Sequence, residues 1–236
     1  MRLVTILVAA TALAACSQAP SAKKTDAAPA AAPAAPASDA LPGDYRMDLA
    51  HTSVNFRVSH LGFSKWTARF TKMDGTLKFD PANPAAQSVA VTIDATSLQT
   101  NYPKPAELDF DAEVETSFLD AARYPTITFR STKVTPTGPN TADLTGDLTL
   151  HGVTRPVTLK ATFNGGYKPN AMDPGGRIGF SAQGVFKRSD FGISYGIPAP
   201  GTNLGVGDDV EVIVETEFQM ADPPPVQSAP ATPPKG

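Results

Sequence analysis

Few residues in this chain are equipped for covalent or metal chemistry. It has one cysteine, Cys16, and three histidines, His51, His60 and His151. A single thiol supplies neither a disulfide nor a thiolate metal site. Three imidazoles would suffice for a zinc centre with an open fourth position. His51 and His60, however, are an odd number of residues apart, on opposite faces of one straight strand, which argues against a shared ion. There is no Gly-x-Ser-x-Gly elbow and no paired-carboxylate motif, so the common hydrolytic arrangements are missing. The acidic run Glu107, Asp109, Asp111, Glu113 and Glu115 lacks the glycine and spacing of a calcium loop and reads as a solvated face. Gly205-Val206-Gly207 is not followed by Lys-Ser/Thr and is no phosphate loop. The residue types point to binding, or to a solid structural domain, before catalysis.

Cys16 stands apart because of what precedes it. Arg2 supplies a positive charge, Leu3 to Leu13 an apolar stretch, and Leu13-Ala14-Ala15 the small residues that a signal-peptide cut requires. The stretch is shorter than the ~20 apolar residues that span a bilayer, and no other segment reaches that length. Leu13-Ala14-Ala15-Cys16 resembles the lipobox of bacterial lipoproteins, whose cysteine is diacylated after cleavage. The resemblance implies residues 1–15 as a signal peptide, lipid attachment at Cys16 and a membrane-anchored periplasmic protein. Ser17, in place of the aspartate that retains enterobacterial lipoproteins at the inner membrane, leans toward the outer membrane. Residues 16–43 are rich in Ala and Pro and lack the apolar content to fold. They read as an extended tether of about 3.1 Å per residue. Residues 221–236 have the same character and read as a tail, with a proline-motif ligand as the alternative.

Residues 44–220 remain, enough for one domain with its own core. The formal charge is −3, with 20 Lys+Arg against 23 Asp+Glu. That balance excludes the basic face of a nucleic-acid binder. Period-two alternation dominates this region. Val54, Phe56 and Val58 alternate with polar residues, as do Trp66, Ala68 and Phe70. The parity then shifts to Leu77 and Phe79, with a bend expected at Gly75. Further alternating runs contain Val89–Ala95, Ile127–Phe129, Leu144–Leu150, Val157–Phe163, Ile178–Phe186 and Val210–Phe218. Eight or so strands separated by Gly/Pro turns predict an all-β antiparallel barrel or sandwich. Residues 106–122 break the alternation and predict one or two short helices with Phe110, Val114, Phe118 and Leu119 on the apolar face.

Four blocks carry a second resemblance. They are Asp48-x-x-His51-Thr52-Ser53-Val54-x-Phe56-x-Val58-x-His60-Leu61-Gly62, then Ser117-Phe118-Leu119-Asp120 with Tyr124 to Thr132. The third is Gly146-Asp147-Leu148-Thr149-Leu150-His151-Gly152-Val153-Thr154-x-Pro156-Val157, and the fourth Lys187-Arg188-Ser189-Asp190-Phe191-Gly192. In this order they resemble the YceI-like periplasmic proteins. The resemblance implies an eight-stranded, lipocalin-like extended barrel that encloses a polyisoprenoid, quinone-like or related amphiphilic lipid, with no other cofactor. One departure is local: where many members carry Arg-Asp-x-His-Leu, this chain reads Pro105-Ala106-Glu107-Leu108-Asp109-Phe110.

Such a carrier must keep a long hydrocarbon out of water. Each buried CH₂ is worth about 0.8 kcal/mol, so eight isoprene units approach roughly 30 kcal/mol in transfer. Net affinities saturate near roughly 20 kcal/mol. An apolar lumen with a polar mouth meets the need without catalytic groups. Candidate wall residues are Val54, Phe56, Val58, Phe70, Phe180, Phe186 and Phe191, with a filled core as the alternative for each. His60 shares their parity and reads as a core histidine or a head-group contact at the lumen's edge. Arg188 reads first as a partner of Asp190 in an ion pair closing the barrel, and second as a head-group ligand. Trp66 is a core plug or a mouth residue. The expected partners are an amphiphilic lipid, a membrane through the acylated N-terminus and a second copy in a homodimer. An enzyme of isoprenoid lipids and an envelope interaction protein with a solid core are the competing classes.

Overall fold

The computed structural model describes residues 38–226. Residues 1–37, with Cys16, the expected signal peptide and most of the expected tether, and residues 227–236 of the expected tail lie outside the described residues. The strands are β1 (Gly43–His60), β2 (Ser64–Phe70), β3 (Met73–Phe79), β4 (Ser88–Asp94) and β5 (Leu98–Gln99). After helix α1 (Phe110–Ser117) come β6 (Thr126–Pro136), β7 (Thr141–Leu150), β8 (Val153–Tyr167), β9 (Arg177–Lys187) and β10 (Val206–Met220). All pair antiparallel. The ring runs β1-β3-β4-β6-β7-β8-β9-β10 and returns to β1. β2 extends β3 along β1, and β5 extends β4 along β2. The result is the expected closed barrel of eight staves with a single α-helix.

The parity change falls just before the expected point. Trp66, Ala68 and Phe70 face inward on β2, and Leu77 and Phe79 do so on β3. The switch occurs at Thr71-Lys72, not at Gly75. Both amides there donate to Ser97, Thr71 to its carbonyl at 3.0 Å and Lys72 to its hydroxyl at 3.0 Å. A buried serine therefore satisfies the backbone that the kink removes from the ladder. Gly75 instead makes room for a neighbour, since a Cβ there would lie 2.7 Å from the Met47 methyl.

One end of the barrel carries α1 and the other carries both termini of the ring, Gly43 and Met220. At the helix end, α1 covers the gap left where β2 has only two-residue β5 beside it. Asp109 caps α1 by accepting from Ala112 N at 3.0 Å, and Asp111 and Glu113 sit in its positive first turn. Eight residues are too few for a helix stable alone. Val114 is buried in the core beside Phe70, Leu98 and Phe191, and that packing holds it. The acidic run is thus only partly a solvated face. Asp109 is a cap, and Asp111 accepts from Thr100 N at 2.7 Å and from its hydroxyl.

At the terminus end a second core joins Tyr45, Met47, Leu77, Phe79, Ile178 and Phe218. It also takes in Ala40. Ser38 bridges Gly166, Asp39 accepts from Lys168 N at 3.1 Å, and Leu41 O accepts from the Tyr45 hydroxyl at 2.6 Å. Residues 38–42, read from composition as tether, pack on the barrel instead. Their apolar area is small, but Tyr45 and Lys168 meet their backbone and side chains. Among the described residues, no helix is long and apolar enough to cross a membrane.

β7 and β8 are joined by His151-Gly152, with φ of 52° and 73°. Two positive φ values define the hairpin turn that suits strand twist. A Cβ at Gly152 would lie 2.4 Å from Tyr124 Cε1. Gly152→Ala is expected to lower unfolding stability by about 1–3 kcal/mol. The check is a lower urea midpoint at unchanged m-value.

Candidate binding cavity

The interior is not filled. A cavity of about 990 Å³ runs through the barrel. At about 30 Å³ per water it would hold some thirty waters, whereas ordinary interiors leave few voids larger than one. The alternative of a solid core does not hold for this chain. The walls come from alternate residues of every stave, for example Val91 of β4, Phe129 of β6, Leu148 of β7, Leu159 of β8, Ala182 of β9 and Val212 of β10.

Six of the candidate wall residues line this space: Val54, Phe56, Val58, Phe70, Phe180 and Phe186. Phe56 stacks on Phe70 at 5.6 Å and meets the edge of Trp66 at 6.0 Å. Trp66 is therefore a wall residue, backed by Phe110 at 5.6 Å. Phe180 packs with Phe79, Phe163 and Phe218 toward the terminus end. The seventh candidate, Phe191, is corrected. It is buried behind the wall, with its ring against Phe186 at 5.2 Å, and does not reach the lumen. It sits in the short helical turn Arg188–Phe191 beyond the end of β9, where the pleat no longer sets which side chains face the lumen.

Arg188 is also corrected. It lines the cavity and is only 4% exposed, but it makes no ion pair with Asp190. Its guanidinium donates to four backbone carbonyls: Gly207 (2.9 Å), Ile193 (3.1 Å), Tyr195 (2.8 Å) and Val206 (2.7 Å). It stacks over Phe118 at 5.7 Å. Burial pushes its pKa down, opposed by the charge of Asp208. Asp208 is engaged elsewhere, accepting from Ser189 N and Oγ at 2.9 Å. The arginine therefore clamps the segment 193–207 to the barrel, and four of its five N–H donors are committed to carbonyls.

The histidines separate. His60 is exposed at the helix end of the cavity, where the lining also includes Asn101 and Pro103. His151 places Nδ1 3.1 Å from Phe191 O and packs on Tyr124. His51 lies outside the barrel, with Nδ1 2.8 Å from Asp48 Oδ2. Among the described residues, Asp48, His51 and Glu217 are the one trio with metal-ligand spacing. Arg177 already occupies it, donating to Asp48 and Glu217 at 2.6 Å and to Asp173 at 3.1 Å. A cation is in place, and a metal ion would have to displace it.

The cavity reaches solvent a second time at the terminus end. There its lining passes to Pro81, Pro84 and Gln87 of the β3–β4 loop, to Ser88 at the start of β4, and to Pro136 and residues 138–141 at the β6–β7 turn. The side chains that alternation alone misses are those of α1 and its approach: Tyr102, Phe110, Val114, Phe118 and Leu119. Their signal is the helical spacing of 110, 114 and 118.

The model of the YceI-like domain matches residues 45–218. The chain belongs to the YceI-like family. The protein YceI of Escherichia coli is 43% identical over 183 residues, covering 75% of this chain and 87% of that protein. The crystal structure of Burkholderia cenocepacia BcnA superposes with a TM-score of 0.60 at 27% identity, covering 72% of this chain and 98% of that one. A polyisoprenoid binding domain from Saccharophagus degradans, implicated in plant cell wall breakdown, has a TM-score of 0.54 at 14% identity. It covers 76% and 99% of the two chains, a likeness of fold.

The buried charges make two outcomes testable. Arg188→Met leaves four carbonyls without their donor, and is expected to cost about 3–5 kcal/mol in chemical denaturation. The second concerns acid. Burial alone would raise Asp48 and Asp173. Hydrogen bonds outweigh it, from His51 and Arg177 to Asp48 and from Tyr167 and Arg177 to Asp173, and hold both pKa values below the usual range. Depressed carboxylates contribute fully above the unfolded-state value near about 4. That contribution is lost as pH falls through the folded values. Stability measured against pH is expected to fall below pH ~4, and Arg177→Met to remove much of that slope while lowering stability at neutral pH.

Proposed function

We propose that the protein binds one polyisoprenoid, quinone-like or related lipid within the barrel and shelters it from water at the bacterial envelope. The observation that carries this reading is the apolar cavity of about 990 Å³, continuous through the fold. It lies at the upper end of the roughly 300–1,000 Å³ of ligand pockets. An empty apolar volume of this size costs packing energy that a hydrocarbon guest restores. The polyisoprenoid-binding neighbour of the same fold supports the choice of guest.

The protein acts as carrier or store, not as catalyst. Its interior offers walls and no nucleophile beside a general base. The head group is neutral in this reading. Arg188 is the one Lys or Arg in the lining, and its donors are held by four carbonyls. A pyrophosphate would bring several negative charges into an apolar space whose single cation, Arg188, already directs most of its donors to those carbonyls. A carbonyl or hydroxyl head needs only hydrogen bonds, which His60 and Asn101 offer at the helix-end opening. Cys16 would carry the acyl anchor, leaving the barrel on the periplasmic side of a membrane, with the outer membrane favoured by Ser17.

Mass spectrometry of lipid extracted from natively purified protein tests the reading. A stoichiometric isoprenoid or related amphiphile is expected, and added polyprenol or quinone should compete for the site better than polyprenyl pyrophosphate. Ala182→Trp, which fills the lumen from β9, should abolish retention while the far-UV circular dichroism stays that of the barrel. An empty protein that also fails to take up either lipid would refute the proposal.

A further inference from the structure

Three large apolar side chains stand out in water at the helix end: Phe63 is 87% exposed, Leu204 80% and Tyr195 62%. They come from separate stretches of chain, but the backbone gathers them. Leu61 N donates to Gly205 O at 2.9 Å, and Val206 N to Gly196 O at 2.8 Å. A Cβ on Gly62 would lie 3.1 Å from Asn203 Nδ2, and one on Gly205 2.4 Å from Gly196 O. Residues 62, 196 and 203–205 are thus in van der Waals contact. Their chain neighbours Phe63, Tyr195 and Leu204 rise from one patch.

This patch is continuous with the cavity wall. His60 and Val206, in the same turn and loop, line the lumen. The Tyr195 ring meets Phe118, another lining residue, edge-on at 5.1 Å. Arg188 binds Tyr195 O and Val206 O together, so the buried guanidinium fixes the base from which the tips project. The terminus-end opening is different. None of the exposed large apolar side chains among the described residues lies in its rim, 80–87 and 136–141.

We propose that Phe63, Leu204 and Tyr195 are a footing by which the helix end docks on a lipid bilayer, with the opening beside His60 turned toward the membrane. The occupant is a bilayer, for two reasons. Tips on tight turns can each enter the headgroup region, as interfacial side chains do, without a complementary groove. And the lipid cargo, on the reading proposed above, has its source in a membrane and must cross little water if the wall meets the bilayer directly. The tether permits this orientation although it leaves from the opposite end. Covalent geometry lets the chain of residues 16–37 span at most about 75 Å.

The second exposed group, Leu49 and Met172 near Arg177 at the terminus end, is the internal control. F63W, L204W and M172W variants of the full chain add one indole each to the native Trp66. In vesicles of phosphatidylethanolamine and phosphatidylglycerol doped with brominated lipid, most of the added emission of F63W and L204W is expected to be quenched. That of M172W should not be. Quenching of M172W alone would overturn the proposal by placing the opposite end on the membrane, and quenching of none would overturn it outright. The cargo is measured on the same preparations by mass spectrometry. A loaded protein without quenching refutes the footing alone, and quenching of a protein that is empty and takes up no added lipid refutes the carrier reading alone.

Discussion

Everything in this molecule depends on the closure of β1 against β10. The two pair from Tyr45↔Met220 to His60↔Val206, with irregularities where Asp48 passes to Ser53 and Val58 to His60. Closing the ring gives the staves' backbone groups partners within the sheet and leaves no edge along them. That satisfaction does not require a filled interior. A sandwich would collapse its two faces onto one another. A closed ring of eight staves resists collapse because its hydrogen-bond ladders would have to break first. The lumen is therefore a consequence of topology, and side-chain size then decides how much of it stays empty.

The lumen is backed by packed side chains at both ends. The two packed clusters lie toward the helix end and the terminus end, one around Phe70, Leu98 and Phe191, the other around Tyr45, Ile178 and Phe218. Each uses residues from outside the alternating pattern. Phe191 comes from the turn after β9, and Ala40 from the segment before β1. Outside the barrel wall, Arg177 gathers carboxylates from β1, β10 and the loop before β9. Cohesion at the ends and on the outer surface lets the barrel stand with its middle unfilled.

The staves are legible in the sequence because period two is imposed on each residue by the pleat. The parity of Val54, Phe56 and Val58 marks their shared face, and six wall candidates do line the cavity. Alternation does not extend to segments where the chain leaves the sheet. Phe191 and Arg188 have the right chemistry for a wall and a head-group ligand, but they sit in a helical turn. There, Phe191 is buried against Phe186, and Arg188, though it lines the cavity, directs its donors to carbonyls. The kink at Thr71-Lys72 escapes the pattern for a related reason. Gly75 is the residue that looks permissive, whereas the break is made by a serine 25 residues from Lys72 that accepts the displaced amide. Long-range hydrogen bonds of this kind leave no local trace. The hollow itself is not legible from residue types, since Phe and Val line a void and fill a core equally well.

The two openings differ in a way that gives the barrel a direction. At the terminus end, prolines with Gln87, Ser88 and Asn140 form a compact rim, and Asn140 is held by Phe163 O at 3.2 Å. At the helix end the cover is a single short helix whose lining face is Phe110, Val114 and Phe118. It is flanked by a loop whose position depends on one arginine. Local stability follows ladder hydrogen bonds and buried area. The helix, held by packing and by Asp111 on Thr100, opens at lower cost than any stave of the ring. Opening here would displace side-chain contacts and leave every ladder of the ring intact. The helical cover at this end is thus a part of the wall that can yield without breaking the ring.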